Sequence, residues 1–115
     1  MIRHIAISLA ALAAGLSIGH SAALAASAEN GKRVFMKVGC WQCHGTVGQG
    51  AISGPRIAPD PAPYEAFSAF VRTSSRAMPP YRASVLSDQD LADIHAYLQS
   101  IPPPPDVKSI PLLNQ

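Results

Sequence analysis

The sequence predicts a small, all-α domain that needs more than its own side chains to complete its core. Three observations carry this. The chain has 115 residues, enough for one small domain. Its apolar positions recur at helical spacing in three segments, separated by stretches rich in glycine and proline, and no stretch alternates as a strand would. Its only two cysteines, Cys40 and Cys43, stand three positions apart, so a bridge between them would restrain little of the unfolded chain. A domain this small draws marginal stability from its core and takes a metal, a covalent cofactor or a set of disulfides as a staple. A disulfide framework is excluded, so another staple is expected.

The N-terminal segment is separable. Met1-Ile2-Arg3-His4 makes a short basic start, and Ile5 to Ile18 is an apolar run diluted only by Ser8, Gly15 and Ser17. Ala23-Leu24-Ala25 then offers a small-residue cleavage site, with Ala26-Ser27-Ala28 as a second. The run is shorter than the roughly 20 residues of a membrane span. Residues 1–25 are therefore expected to be a signal peptide, which places the product in the periplasm. The domain is expected over residues 26–101 and a proline-rich tail over 102–115. Removing 25 of the 115 residues leaves 90, too few for a Rossmann domain, a (β/α)8 barrel or a protease-sized scaffold.

A first helix is expected from Ala28 to Val38, with Phe35 and Val38 on its apolar side and Lys32, Arg33 and Lys37 toward water. Gly39 ends it as a left-handed cap. Gly31 and Phe35, one turn apart, would let this helix cross the last one closely, against Ile94, Tyr97 or Leu98. Residues 40–60 hold six glycines or prolines and read as loop. Pro61 and Pro63 introduce a second helix, Tyr64 to Thr73, with Phe67, Phe70 and Val71 as its stripe. The loop 74–85 contains Met78-Pro79-Pro80. The final helix has Ser87 as N-cap, Asp88 and Asp90 in the first turn, and Leu91, Ile94, Leu98 and Ile101 as its stripe. Pro102 stops it, and Pro102 to Pro105 start a stiff extended tail.

Cys40-Trp41-Gln42-Cys43-His44 is C-x-x-C-H, the attachment sequence of haem c. Two thiols at this spacing reach the two vinyl groups of one porphyrin edge and form thioethers, and the next residue, His44, can then bind iron axially. A thioredoxin-like thiol pair would need a βαβ context, and a zinc site would need four ligands, whereas His4 and His20 leave with the leader. Beyond the leader the only methionines are Met36 and Met78. Met36 lies four residues before Cys40, on the covalent side of the ring. Met78 lies 34 residues after His44 in a proline-fixed loop long enough to wrap the other face. The plain reading of Met78 is a core gap-filler, and the rival ligand is His95, expected as a solvated or half-buried helix residue. Arg56, just after Gly54-Pro55, is a candidate partner for a haem propionate.

On these residues the chain resembles the monohaem class I c-type cytochromes, over about Asn30 to Ile101. The likeness is carried by Gly31 and Phe35, the Cys40–His44 motif, Gly54-Pro55, Met78-Pro79-Pro80-Tyr81, and the helix from Leu86-Ser87-Asp88 to Tyr97-Leu98. It implies the small cytochrome c fold, three or so helices and long loops around one covalent haem c. It also implies Met78 as second axial ligand and the Pro55 carbonyl as partner of the other His44 nitrogen. The implied function is one-electron transfer between redox proteins, from an upstream dehydrogenase or reductase to a downstream oxidase or carrier. The chain would act free or as the cytochrome subunit of a dehydrogenase, with no catalysis and no small-molecule substrate. The alternative is a haem enzyme or gas sensor in which Met78 leaves the iron.

The formal charge of +2 is too small to suggest nucleic acid as a partner. Its distribution is uneven. From Lys32 to Arg82 seven basic residues face only Asp60 and Glu65, while from Ala83 onward Lys108 faces Asp88, Asp90, Asp93 and Asp106. Arg56, Arg72, Arg76 and Arg82 all fall between the two expected axial ligands. They are expected either to ring the exposed haem edge and steer docking, or to be scattered over a solvated surface or bonded to propionates.

Overall fold

Ser27 opens the fold by accepting the Asn30 amide on its hydroxyl, at 3.2 Å, and starting α1 (Ala28–Lys37). A computed structural model describes residues 25–114; the leader expected over 1–25 lies, Ala25 excepted, outside the described residues. The chain continues through α2 (Trp41–His44), α3 (Tyr64–Thr73) and α4 (Asp88–Ser100). Among the described residues there is no strand, only an isolated bridge between Ala51 and Gly54. The architecture is the small cytochrome c fold.

Each end of the long helices has a local cause. Gly39 takes a φ of +86°, and the Cys40 amide turns back to the Phe35 carbonyl at 3.2 Å, so α1 closes where its last carbonyls find partners. Pro63 stands at the N-cap position of α3 and offers only its carbonyl, to the Phe67 amide at 2.9 Å, whereas Ser87 caps α4 by accepting the Asp90 amide at 3.1 Å. The stretch 40–60 differs from the expected uninterrupted loop. No glycine or proline falls between Cys40 and His44, so the amides of His44 and Gly45 close a helical turn onto Cys40 and Trp41. The tail also departs from a purely extended form. Asp106 caps the Lys108 amide, and short 3-10 turns follow at Val107–Ser109 and Pro111–Leu113.

The core joins α1, α4 and the loops between them. Phe35 and Leu98 are wholly buried, with Leu91, Ile94, Leu86, Val34, Val71 and Tyr97 around them, and Ile101 is half-buried at the edge. Phe35 meets Tyr97 edge-on at 5.6 Å. Phe70 departs from its expected stripe: it is 51% exposed and opens onto a cavity, while Phe67 and Val71 face inward.

α1 crosses α4 at Gly31, where an added Cβ would lie 1.8 Å from the Asp93 carbonyl oxygen. Asp93 is buried, and its carboxylate accepts the Ser27 amide at 2.8 Å, the Asn30 side-chain amide at 2.6 Å and the Gln89 side-chain amide at 2.9 Å. Burial by itself would raise its pKa. The bonds from Asn30, Ser27 and Gln89 outweigh that and hold the carboxyl below its ordinary value.

Two outcomes follow from this crossing. Gly31→Ala must force the helices apart, because the obstructing atoms are backbone; a loss of about 3 kcal/mol or more is expected from the denaturation midpoint. Since the Asp93 pKa is lower folded than unfolded, its contribution to stability is present above about pH 4 and fades as pH falls through the folded value. Unfolding free energy measured across pH 2–6 should therefore fall toward acid, and Asp93→Asn should flatten that slope.

Candidate functional site

A cavity of about 440 Å3 opens between α1, α3, α4 and the loops. Its wall is mostly apolar, with Phe35, Phe67, Val71, Leu86, Leu91 and Ile94 among its residues. Cys40, His44 and Met78 all line it. So do Pro55 and Arg56, the latter exposed. Cys43 is exposed and does not line the cavity.

Each of these side chains is placed by a local device. The α1 C-terminus delivers Cys40 by the turn at Gly39. The α2 turn carries Cys43 and His44 on from it, and His44 is buried. The His44 Nδ1 lies 2.8 Å from the Pro55 carbonyl oxygen. A carbonyl only accepts, so Nδ1 carries a hydrogen, and in the neutral ring that tautomer leaves Nε2 as the acceptor. That contact is possible because the chain at Gly54 runs directly under Cys43: a Cβ there would meet the Cys43 carbonyl oxygen at 2.8 Å. From the other side Tyr97 donates its hydroxyl to the Thr46 carbonyl at 2.9 Å, tying α4 to the segment just after His44.

Met78 is half-buried, and its backbone carbonyl accepts the Ser74 hydroxyl at 2.8 Å. Tyr81 returns the loop to the fold: its amide donates to Val71 and its hydroxyl to Val38, both at 2.9 Å. Burial, then the neighbouring thiols Cys40 and Cys43, push the Tyr81 phenol pKa up. Burial pushes the Cys40 thiol up to about 11, which keeps it protonated and is the reverse of what a thiol-redox nucleophile needs.

Two expectations are corrected. His95 is neither solvated nor half-buried: it is 7% exposed, its Nε2–H donates to the Ala62 carbonyl at 2.9 Å, and its ring packs against Tyr64 and Phe67. It does not line the cavity. Arg72 is not part of a free basic ring, since its guanidinium is committed to the carbonyls of Tyr81 and Leu86 and to Asp88. Arg76 and Arg82 are exposed. The bonds of Tyr81, Tyr97 and Arg72 to distant carbonyls were not visible in the sequence. The nearest signal was a cation in the last turn of α3, and it names no acceptor.

Helices wrapped around an apolar cavity, with a C-x-x-C-H turn opening into it and a carbonyl orienting the histidine, define a c-type cytochrome domain. Residues 26–98 match the family described as cytochrome C oxidase, cbb3-type, subunit III. The chain belongs to that family and is a monohaem c-type cytochrome, a haem c electron-transfer protein whose partners are redox proteins. No curated protein and no solved structure matches it. The donor set fits haem c: an apolar slot, two thiols, and an imidazole oriented through Nδ1 by the Pro55 carbonyl.

The Gly54 contact yields a check on the imidazole. Gly54→Ala should displace Pro55 and cost about 1–3 kcal/mol. The His44 Nδ1 proton, expected as a slowly exchanging NMR resonance in the parent protein, should be lost with it.

Proposed function

We propose that the chain is a periplasmic one-electron carrier holding a single covalent haem c with His44 and Met78 as axial ligands. The observation that carries this reading is the His44–Pro55 contact of 2.8 Å on the cavity that Met78 also lines. Haem c, when bound, supplies an iron that changes between ferrous and ferric by one electron. Cys40 and Cys43 would hold the group through thioethers. His44 would present Nε2, with Pro55 fixing its tautomer and ring orientation. Met78 would present a thioether sulfur, a softer donor than a second imidazole, and one that favours the reduced ion. Phe35, Leu91 and Ile94 keep water from the slot. Arg56 is the residue best placed to pair with a propionate.

With His44 and Met78 both engaged, no position remains for a substrate, and the chain works as a carrier instead of an enzyme. It takes one electron from a dehydrogenase or reductase and passes it to an oxidase or a further carrier, free or as a subunit of a larger complex. The description of its family as an oxidase subunit supports an acceptor on the oxidase side. Export follows from the expected leader over 1–25.

The protein made in a host that attaches haem c should show sharp low-spin ferrous bands and the weak long-wavelength ferric absorption of sulfur bound to iron. Met78→Ala should abolish that absorption and convert the ferric spectrum toward high spin. A band that survives the substitution, or a high-spin ferric spectrum in the parent protein, would overturn the Met78 assignment, the second result in favour of a sensor or enzyme.

A further inference from the structure

We propose that Arg72 is the positioning residue that keeps Met78 seated in the cavity, an inference that rests on Met78 being the ligand. The Met78 loop leaves α3 at Ser74 and rejoins the fold at Tyr81. Its outgoing arm is tied by Ser74 to the Met78 carbonyl, at 2.8 Å. Pro79 and Pro80 stiffen the returning arm but bring no amide hydrogen to hold it. The returning arm depends on what grips Tyr81, three residues beyond Met78.

Tyr81 is held by its amide to Val71, its hydroxyl to Val38 and, on its carbonyl, by Arg72, the one of the three that also reaches beyond the loop. The Arg72 Nη1 donates to the Tyr81 carbonyl at 2.9 Å and the Leu86 carbonyl at 2.8 Å, and its Nη2 donates to Asp88 at 2.6 Å. One side chain thus fastens α3 to positions 9, 14 and 16 residues further on, closing the Met78 loop and the approach to α4 together. Among the described residues no other donor reaches either carbonyl. Asp88 is 85% exposed, whereas the Arg72 side chain is only 20% exposed, so the two carbonyl bonds and not the ion pair carry the effect. Lysine has no planar fork to span three separate acceptors.

This network is distinct from the α1–α4 crossing, which is held by Gly31, Asp93 and Phe35. Losing Arg72 therefore loosens the methionine loop before it unfolds the domain. A looser loop leaves the sulfur position vacant for a larger fraction of the time, and a competing ligand binds more tightly by that fraction.

The test uses the full chain with its haem attached, in the ferric form, titrated with imidazole while the long-wavelength sulfur absorption is followed. Arg72→Met keeps most of the aliphatic stem and removes the donors; it should bind imidazole roughly tenfold tighter than the parent, about 1.4 kcal/mol. Arg72→Lys should fall between the two, and Asp88→Asn should stay within about twofold of the parent. A purely structural role would lower the denaturation midpoint of Arg72→Met and leave imidazole affinity within about twofold, which would overturn the proposal. If Arg72→Met does not accumulate folded, Arg72→Lys decides, and parental affinity in that variant overturns the proposal. A parent protein without the sulfur absorption removes the Met78 reading itself, before any variant is made.

Discussion

The approach of α1 to α4 at Gly31 governs the cavity side of the molecule. The two backbones come so close that no side chain fits between Gly31 and the Asp93 carbonyl. One turn on, that closeness sets Phe35 against Tyr97. Tyr97 in turn reaches the Thr46 carbonyl, two residues after His44. The same helix that makes the crossing ends at the turn that delivers Cys40. A contact remote from the chemistry thus fixes both the start of the C-x-x-C-H turn and the chain just beyond it. Asp93 locks the arrangement at its outer end by holding the first residues of α1.

A domain of this size would ordinarily place its largest side chains where this one has a cavity. Among the described residues Phe35, Val71, Leu86, Leu91 and Ile94 are buried and yet line the cavity, and Phe70 stands half exposed on the same wall. The chain compensates with hydrogen bonds of long sequence separation: Tyr81 to Val38, Tyr97 to Thr46, His95 to Ala62, Arg72 to Leu86. Each one ends on a backbone carbonyl outside the helices or, at Val38, on the C-cap of α1. Loops rich in glycine and proline have few ladder partners of their own, so side chains supply the donors, from the helices at Arg72, His95 and Tyr97 and from a loop at Tyr81. The slot is a gap in packing held open by a polar frame.

Much of this was legible beforehand, for identifiable reasons. The helix limits follow from strong punctuation: Ser87 as a cap, Gly39 and Pro102 as stops. The crossing at Gly31 followed from a small residue one turn from an aromatic. The C-x-x-C-H turn named its own chemistry, yet the rule that glycine and proline make loop hid the helical turn it forms, because the breakers begin only at Gly45. His95 was misplaced because its helical position shows one neighbour at a time, whereas its burial depends on Ala62, 33 residues away. Nothing local in a sequence reports an acceptor at that distance.

The charge pattern shows the same limit. Counted along the chain, the basic stretch before Ala83 and the acidic stretch after it suggest two opposed surface fields. In the fold the acidic residues of α4 serve as connectors. Asp93 and Asp90 accept from Asn30, and Asp88 accepts from Arg72. Asp88 and Asp90 also lie in the first turn of α4, where the unpaired amides and the helix dipole favour negative charge. Arg72 is withdrawn from the surface field by the same pairing. What remains outside includes Arg56, Arg76 and Arg82, with Arg56 alone of these on the cavity lining. A docking surface on this molecule is therefore set less by the arithmetic of its sequence than by which charges the helix contacts leave unspent.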